Sequence, residues 1–174
     1  MHNVRPMERH PRYRVWTVAL VLVIAGAGCA GSRPPDQRPS VDCEPLPVIS
    51  VAGCDAVVFP ETLGWVEGFA HGEITSYWTP TTSEVLDLED SLRSYLKQAA
   101  PQLETRIGEY RRQYTGFYHE GKRLMFVNFA CDGPWSRGWQ CRPVVVDDGG
   151  DCFFSLRCDP ETSQCSSLWI NGEA

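Results

Sequence analysis

The segment that most constrains this chain is an apolar run close to its N-terminus. The run covers 14 residues, from Val15 to Gly28, and follows four arginines at positions 5, 9, 12 and 14. A basic head, a short apolar middle and small residues at a cleavage position are the parts of an export signal. A helix that crosses a bilayer needs about 20 residues, so this run is short for a permanent anchor. We therefore expect residues 1–28 to direct export.

The small residues at the end of the run, Gly26-Ala27-Gly28-Cys29, resemble the lipobox of bacterial lipoprotein precursors. In that family the signal is removed before the cysteine, and the cysteine sulfur is lipidated. The resemblance implies that Cys29 carries a lipid anchor to the membrane. Because Ala30 rather than Asp follows, it also implies an outer-membrane location in the bacterial cell envelope. The alternatives are a signal cut after Ala27 or Ala30, which would give a soluble periplasmic or secreted protein, and an uncleaved anchor.

Behind Cys29 the chain divides into a tether and one domain. Residues 30–42 contain three prolines and no aromatic residue, and Val41 is their only large apolar side chain. Such a segment cannot bury enough apolar surface to offset its ordering entropy, so residues 29–42 are predicted to be the lipidated cysteine and a Pro-rich tether. Residues 43–174 are long enough to bury a core as a single domain.

The charge balance excludes one class of partner. Residues 1–28 hold four of the 16 basic and one of the 22 acidic side chains, so the remainder carries 12 and 21, a net charge of −9. Nucleic-acid binding needs a basic footprint, so no nucleic acid is expected as a partner.

The cysteines predict a disulfide framework rather than a metal site. Seven follow residue 42, and export would place them where disulfides persist. None has the C-x2-C spacing of a zinc knuckle. Short loops favour three local pairs, which leave Cys152 as the odd thiol; the pairs are Cys43 with Cys54, Cys131 with Cys141, and Cys158 with Cys165.

The clearest secondary-structure signal is a helix from Glu84 to Ala99. Thr81 and Glu84 have capping-box spacing, and Pro101 stops the helix while opening one further turn through Ile107. Apolar residues recur every three or four positions and form one stripe, with Glu89 and Arg93 expected on the solvent face. Six residues make the stripe: Val85, Leu88, Leu92, Tyr95, Leu96 and Ala99.

Short apolar and aromatic runs predict strands on both sides of this helix. Gly121 can supply the positive φ of a tight hairpin between two of them. Residues 147–151 are predicted to be either a hairpin turn or a bulge. The predicted strands are 48–51, 57–59, Ile74–Trp78, Glu109–Tyr118, Arg123–Ala130, Pro143–Val146, Cys152–Arg157 and Ser167–Asn171.

This order predicts an α+β domain in which one amphipathic helix packs on a curled antiparallel sheet of four to six strands, stabilised by disulfides. The arrangement resembles the cystatin fold, and Pro134-Trp135 is similar to the Pro-Trp loop of cystatin protease inhibitors. Their Q-x-V-x-G hairpin has no counterpart, since the turn here is His119-Glu120-Gly121-Lys122. The resemblance therefore implies the fold and not the inhibitory activity.

The best candidate contact surface is the segment from Cys131 to Cys141. A disulfide closing it would present Trp135, Arg137 and Trp139, residue types that are enriched at binding hot spots. We therefore predict a non-catalytic protein-binding or structural module whose partner is another envelope protein. The alternative interpretation is that the tryptophan rings fold back as a lid over the sheet.

The rival class is a small metal-dependent or hydrolytic enzyme using Asp147, Asp148 and Asp151. These carboxylates could hold a hard cation or perform acid–base chemistry, but the spacing of a calcium loop is absent, and a Gly-containing turn kept soluble by Asp is the favoured interpretation. His71 and His119 are expected to be exposed, and no nucleophile motif accompanies them. Cys152 is considered as a reactive thiol, although its acidic and aromatic neighbours would raise its pKa. No catalytic residue, metal or cofactor is assigned.

Overall fold

The structure is a computed structural model that describes residues 43–66 and 74–172. The export signal, Cys29, the tether and His71 lie outside the described residues. Those that are described form one compact unit. No helix within them is long and apolar enough to cross a membrane.

The described residues contain one long helix, one short helix and seven strands. In chain order these are β1 (Ile49–Val51), β2 (Cys54–Phe59), β3 (Ile74–Trp78), α1 (Thr82–Ala99), α2 (Pro101–Thr105), β4 (Tyr110–His119), β5 (Lys122–Cys131), β6 (Phe153–Asp159) and β7 (Gln164–Ile170). The α+β class, the single main helix and the presence of disulfides are therefore as predicted.

The sheet is larger than predicted, and it is mixed rather than antiparallel. Its strand order is β1-β2-β4-β5-β6-β7. Strand β3 lies outside this order and pairs with β4 on the same edge as β2, further along the strand. Strand β2 runs parallel to β4 along residues 112–115, and β3 runs antiparallel to it along residues 116–119. A parallel pair needs a long crossover connection, and here that connection contains β3, α1 and α2.

Local sequence signals position the helix and the central hairpin. Thr81 and Glu84 form the capping box at the start of α1, and Pro101 begins α2. Glu120 and Gly121 both have positive φ, 51° and 73°, and this pair of conformations is that of a type I′ turn. The predicted helix, its cap and the β4–β5 hairpin are confirmed.

The main core lies between α1 and one face of the sheet, which we call the helix face. Helix residues Val85, Leu88, Leu92 and Leu96 pack there with side chains from the strands. The sheet side of this cluster includes Tyr110, Tyr114, Met125, Val127, Phe129, Phe154 and Leu156. Because side chains alternate along a strand, the neighbouring residues point to the opposite side, the second face.

The second face is covered by the segment between β5 and β6. Trp139 and Val144 from this segment pack with Val57, Phe59 and Phe153. The predicted strand Pro143–Val146 is therefore wrong. The backbone of Val144 bonds to side chains of β4 and β5 instead of to a neighbouring strand.

Candidate functional site

Of the residues predicted to form the contact surface between 131 and 141, Trp139 is part of the core. Trp139 is only 8% exposed and packs on the second face, which agrees with the lid interpretation for this ring. The Arg111 guanidinium lies 5.2 Å from the centre of that ring. Arg137 is exposed, and the side chain of Trp135 is outside the described set. A contact surface made of both tryptophans is thus not what the fold presents.

Two buried amides hold this segment on the sheet. Gln113 Nε2 donates to the carbonyl oxygens of Trp139 (2.6 Å) and Arg142 (2.9 Å), and Gln113 Oε1 accepts from Val144 N at 2.8 Å. Asn128 Nδ2 donates to Gln113 Oε1 at 3.0 Å and to Val144 O at 2.9 Å. The sequence did not predict the role of Gln113 and Asn128, because a buried amide in a strand has the same pattern as a polar residue that faces solvent.

Two of the three predicted disulfide pairings are wrong. Cys43 pairs with Cys141 and Cys131 with Cys152, while Cys158 pairs with Cys165 as predicted. Cys131 ends β5 and Cys152 precedes β6, and the register that pairs Ala130 with Phe153 brings them together. Their Cα atoms are 5.0 Å apart. Sheet register, not sequence distance, therefore decides this partner.

Among the seven cysteines that the structure describes, the free thiol belongs to Cys54 and not to Cys152. Cys54 is 6% exposed, and its Sγ lies 3.5 Å from the Ile107 carbonyl oxygen and 3.8 Å from Arg112 Nη2. Because Cys152 is bonded to Cys131, it has no thiolate to offer. The hypothesis of a reactive Cys152 is excluded in this disulfide-bonded state.

The three aspartates do not converge on one site. Asp147 and Asp148 are exposed, and Asp151 accepts from Arg106 Nη1 at 2.8 Å. Gly149 has φ 111° and the Gly150–Cys152 segment forms a 3-10 turn, so the break before β6 is a turn. Among residues 43–66 and 74–172, no group of three or more His, Cys, Asp or Glu side chains could hold a metal ion.

A charged cluster that the sequence did not suggest lies between α1 and the sheet. Arg112 is fully buried and Glu89 is 6% exposed, so the expectation that Glu89 faces solvent is wrong. Arg112 Nη1 and Glu89 Oε2 are 2.5 Å apart as an ion pair, although neither atom has the geometry of a hydrogen bond. The Tyr114 hydroxyl donates to Glu89 Oε1 at 2.8 Å.

Burial determines the protonation of this cluster. Burial raises the pKa of Tyr114 well above its usual value, and the negative charge of Glu89 raises it further. Tyr114 therefore stays protonated and remains a donor to Glu89. All three groups are sealed in the core, so the cluster holds the helix on the sheet and offers nothing to a substrate.

His119 is also less accessible than expected. It ends β4 at 9% exposure, where Lys122 is its register partner. Because β4 continues up to the turn at Glu120 and Gly121, His119 pairs with β5 and is not part of the turn.

The second face carries an exposed patch beside the last strand. Trp169 is 57% exposed and pairs in register with Ser155 of β6. Val145, 62% exposed, lines a small recess together with Ser155. Arg157 follows Ser155 on the same face, and burial lowers its pKa. We call Val145, Arg157 and Trp169 the edge patch.

The helix face carries a second surface feature, an open groove of about 390 Å³ between α1 and β7. We call it the α1–β7 groove; it is lined by Asp90, Ser91, Ser94, Tyr95, Gln98, Ser163, Gln164 and Cys165.

Comparison with known proteins adds no family to this description. No family model, curated protein or solved structure matches the chain.

Proposed function

We propose that this chain is a cell-envelope lipoprotein that acts as a non-catalytic protein-binding module, with the edge patch as its contact surface. The export signal and the lipobox resemblance of Cys29 support the location, and a Pro-rich tether would hold the domain away from the membrane. The cystatin-like arrangement is part of the proposal, supported by one long helix packed on a mainly antiparallel sheet.

The observation that carries the proposal is the exposure of Trp169. Among the large hydrophobic side chains that the structure describes as exposed, Trp169 is the aromatic one, and its neighbour Ile170 is 37% exposed. Tryptophan and arginine are enriched at the centres of protein interfaces, where a ring fills a pocket of the partner. We therefore expect an envelope protein that offers an apolar pocket to Trp169.

The placement of the residues that the sequence suggested for chemistry supports a binding role over a catalytic one. The residues that the sequence suggested for chemistry are either bonded to other residues of the chain or do not converge with one another. Asp151 bonds to Arg106, and Cys152 is in a disulfide. A catalytic site would need such groups to converge in a cleft that a substrate can enter.

The proposal is tested by capture with single substitutions. Trp169→Ala should remove a specific envelope partner from crosslinked complexes of the full chain, and it should lower the free energy of unfolding by no more than about 1 kcal/mol because the ring is mostly exposed. Leu86→Ala is the matched control, since Leu86 is 48% exposed on α1.

A second control distinguishes the edge patch from the contact surface that the sequence predicted between residues 131 and 141. Arg137→Ala should leave capture unchanged. If Trp169→Ala captures the same partner as the wild type while Arg137→Ala does not, the edge patch is not the contact surface and the proposal fails.

A further inference from the structure

We infer that the α1–β7 groove is a binding site for a neutral saccharide. The site goes beyond the proposed protein contact, because it lies on the helix face and shares no residue with the edge patch. Clefts that hold small ligands begin at about 300 Å³, so a groove of about 390 Å³ suits one or two sugar rings.

The lining offers the hydrogen bonds that sugar hydroxyls need. Asp90 accepts, the amide of Gln98 both donates and accepts, and Ser91 and Ser94 add hydroxyls. Each hydroxyl of a sugar donates once and accepts twice, so it is matched by mixed donors and acceptors. The planar carboxylate and amide groups can each contact two adjacent hydroxyls.

Tyr95 supplies an apolar surface in an otherwise polar groove. Its hydroxyl accepts a hydrogen bond from Leu168 N at 3.4 Å, so the side chain is oriented by β7, and it is half-buried. A pyranose ring has one face of C–H groups beside its hydroxyl edge. An aromatic ring next to hydrogen-bonding groups complements both.

The same lining disfavours other ligand classes. It includes no Lys, Arg or His to neutralise a phosphate or carboxylate, and Asp90 would repel an anion. A lipid chain would leave the hydroxyl, amide and carboxylate groups of the lining without partners.

The walls of the groove are held in place before any ligand arrives. Cys165 is bonded to Cys158 across β6 and β7. In the adjoining turn, Asp159 Oδ1 accepts from Glu161 N at 2.8 Å and from Thr162 N at 3.1 Å. A preformed groove loses less entropy on binding, so weak individual hydrogen bonds can add up to useful affinity.

The experiment is a ¹H–¹⁵N NMR titration of the full chain in detergent micelles. The probes are maltotriose and chitotriose, which are neutral, and trigalacturonate, which is anionic. Either neutral sugar should shift the amide signals of Ser94, Tyr95, Gln98 and Gln164, and trigalacturonate should bind at least tenfold more weakly. The paired change Ser94→Ala with Gln98→Ala should weaken binding of the neutral sugar about tenfold, because two hydrogen-bonding side chains are lost.

Lys97→Ala is the matched control, since Lys97 precedes Gln98 on α1 and does not line the groove. It should bind the neutral sugar like the wild type. The inference is overturned if neither neutral sugar shifts these signals, if the anionic sugar binds as tightly, or if a neutral tripeptide binds as tightly. These readouts do not involve Trp169, so they are independent of partner capture.

Discussion

At the scale of single residues, the buried ion pair of Arg112 and Glu89 has a large desolvation cost. Both charges are removed from water, and Arg112 Nε has no hydrogen-bond partner among the described residues. Each ion loses several kcal/mol of hydration on burial, and only the partner charge and added hydrogen bonds offset the loss. The pair therefore makes the position of α1 on the sheet specific, because a shifted helix would leave an isolated charge in the core.

We predict that Arg112→Met lowers the free energy of unfolding by about 3–5 kcal/mol, since it leaves the Glu89 carboxylate uncompensated. Adding Glu89→Leu should restore part of this loss, with a coupling of at least about 2 kcal/mol. Urea unfolding measures both. Arg111→Met is the control: Arg111 pairs with the exposed Asp132 at 3.1 Å, and its loss should cost about 1 kcal/mol. Equal costs for the two arginines would refute the role given to the buried pair.

At the scale of elements, α1 shows how a helix is begun by its own sequence. Glu84 N donates to Thr81 Oγ1 at 3.2 Å, and Thr81 N donates to Glu84 Oε2 at 2.8 Å. Glu84 Oε1 also contacts Arg123 of β5 at 2.7 Å, so the cap is joined to the sheet. Burial raises the pKa of Glu84, but hydrogen bonds from Thr81 and Arg123 outweigh it, and the pKa is lowered overall from 4.5.

We predict that Thr81→Ala costs about 1 kcal/mol at pH 7 through the lost cap, measured by thermal unfolding followed by circular dichroism. Because the pKa of Glu84 is lowered on folding, the contribution of its charge is present above about pH 4.5 and is lost as the pH falls. The cost of Thr81→Ala should therefore be smaller at pH 3. Thr82→Ala, one position later, should cost less than half as much, and an equal cost would argue against the cap.

At the scale of the whole molecule, disulfides fasten the segment between β5 and β6 at both ends. Cys43–Cys141 joins residues 98 apart in sequence, and Cys131–Cys152 joins residues 21 apart. Leu46 N also donates to the Gln140 carbonyl oxygen at 2.9 Å. The first residues of the domain and this segment thus cover part of the second face together, while Trp169 stays exposed on it.

We predict that peptide mapping without reduction finds Cys43 joined to Cys141, Cys131 to Cys152 and Cys158 to Cys165. Cys54 should react with iodoacetamide only after denaturation, because its thiol is buried beside Ile107. Mass spectrometry of native and denatured samples separates the two cases. A peptide that joins Cys43 to Cys54, or labelling of Cys54 in the native protein, would contradict the fold described above.

The sequence by itself determined the features that depend on a few neighbouring residues. The helix and its cap follow from Thr81, Glu84 and a three-to-four spacing, and the central hairpin follows from Gly121. The pairing of Cys158 with Cys165 belongs to the same class, since a turn of local residues brings the two strands together.

Only the tertiary structure decided the features that depend on strand order. Glu89 has the spacing of a solvent-facing residue, yet it is buried because Arg112 and Tyr114 of β4 lie beneath it. Trp139 is in the core because Gln113 and Asn128 hold its segment on the second face. Such partners are far apart in sequence, and no local pattern of residue types encodes which of them will meet. Burial and disulfide pairing are therefore properties of the assembled sheet.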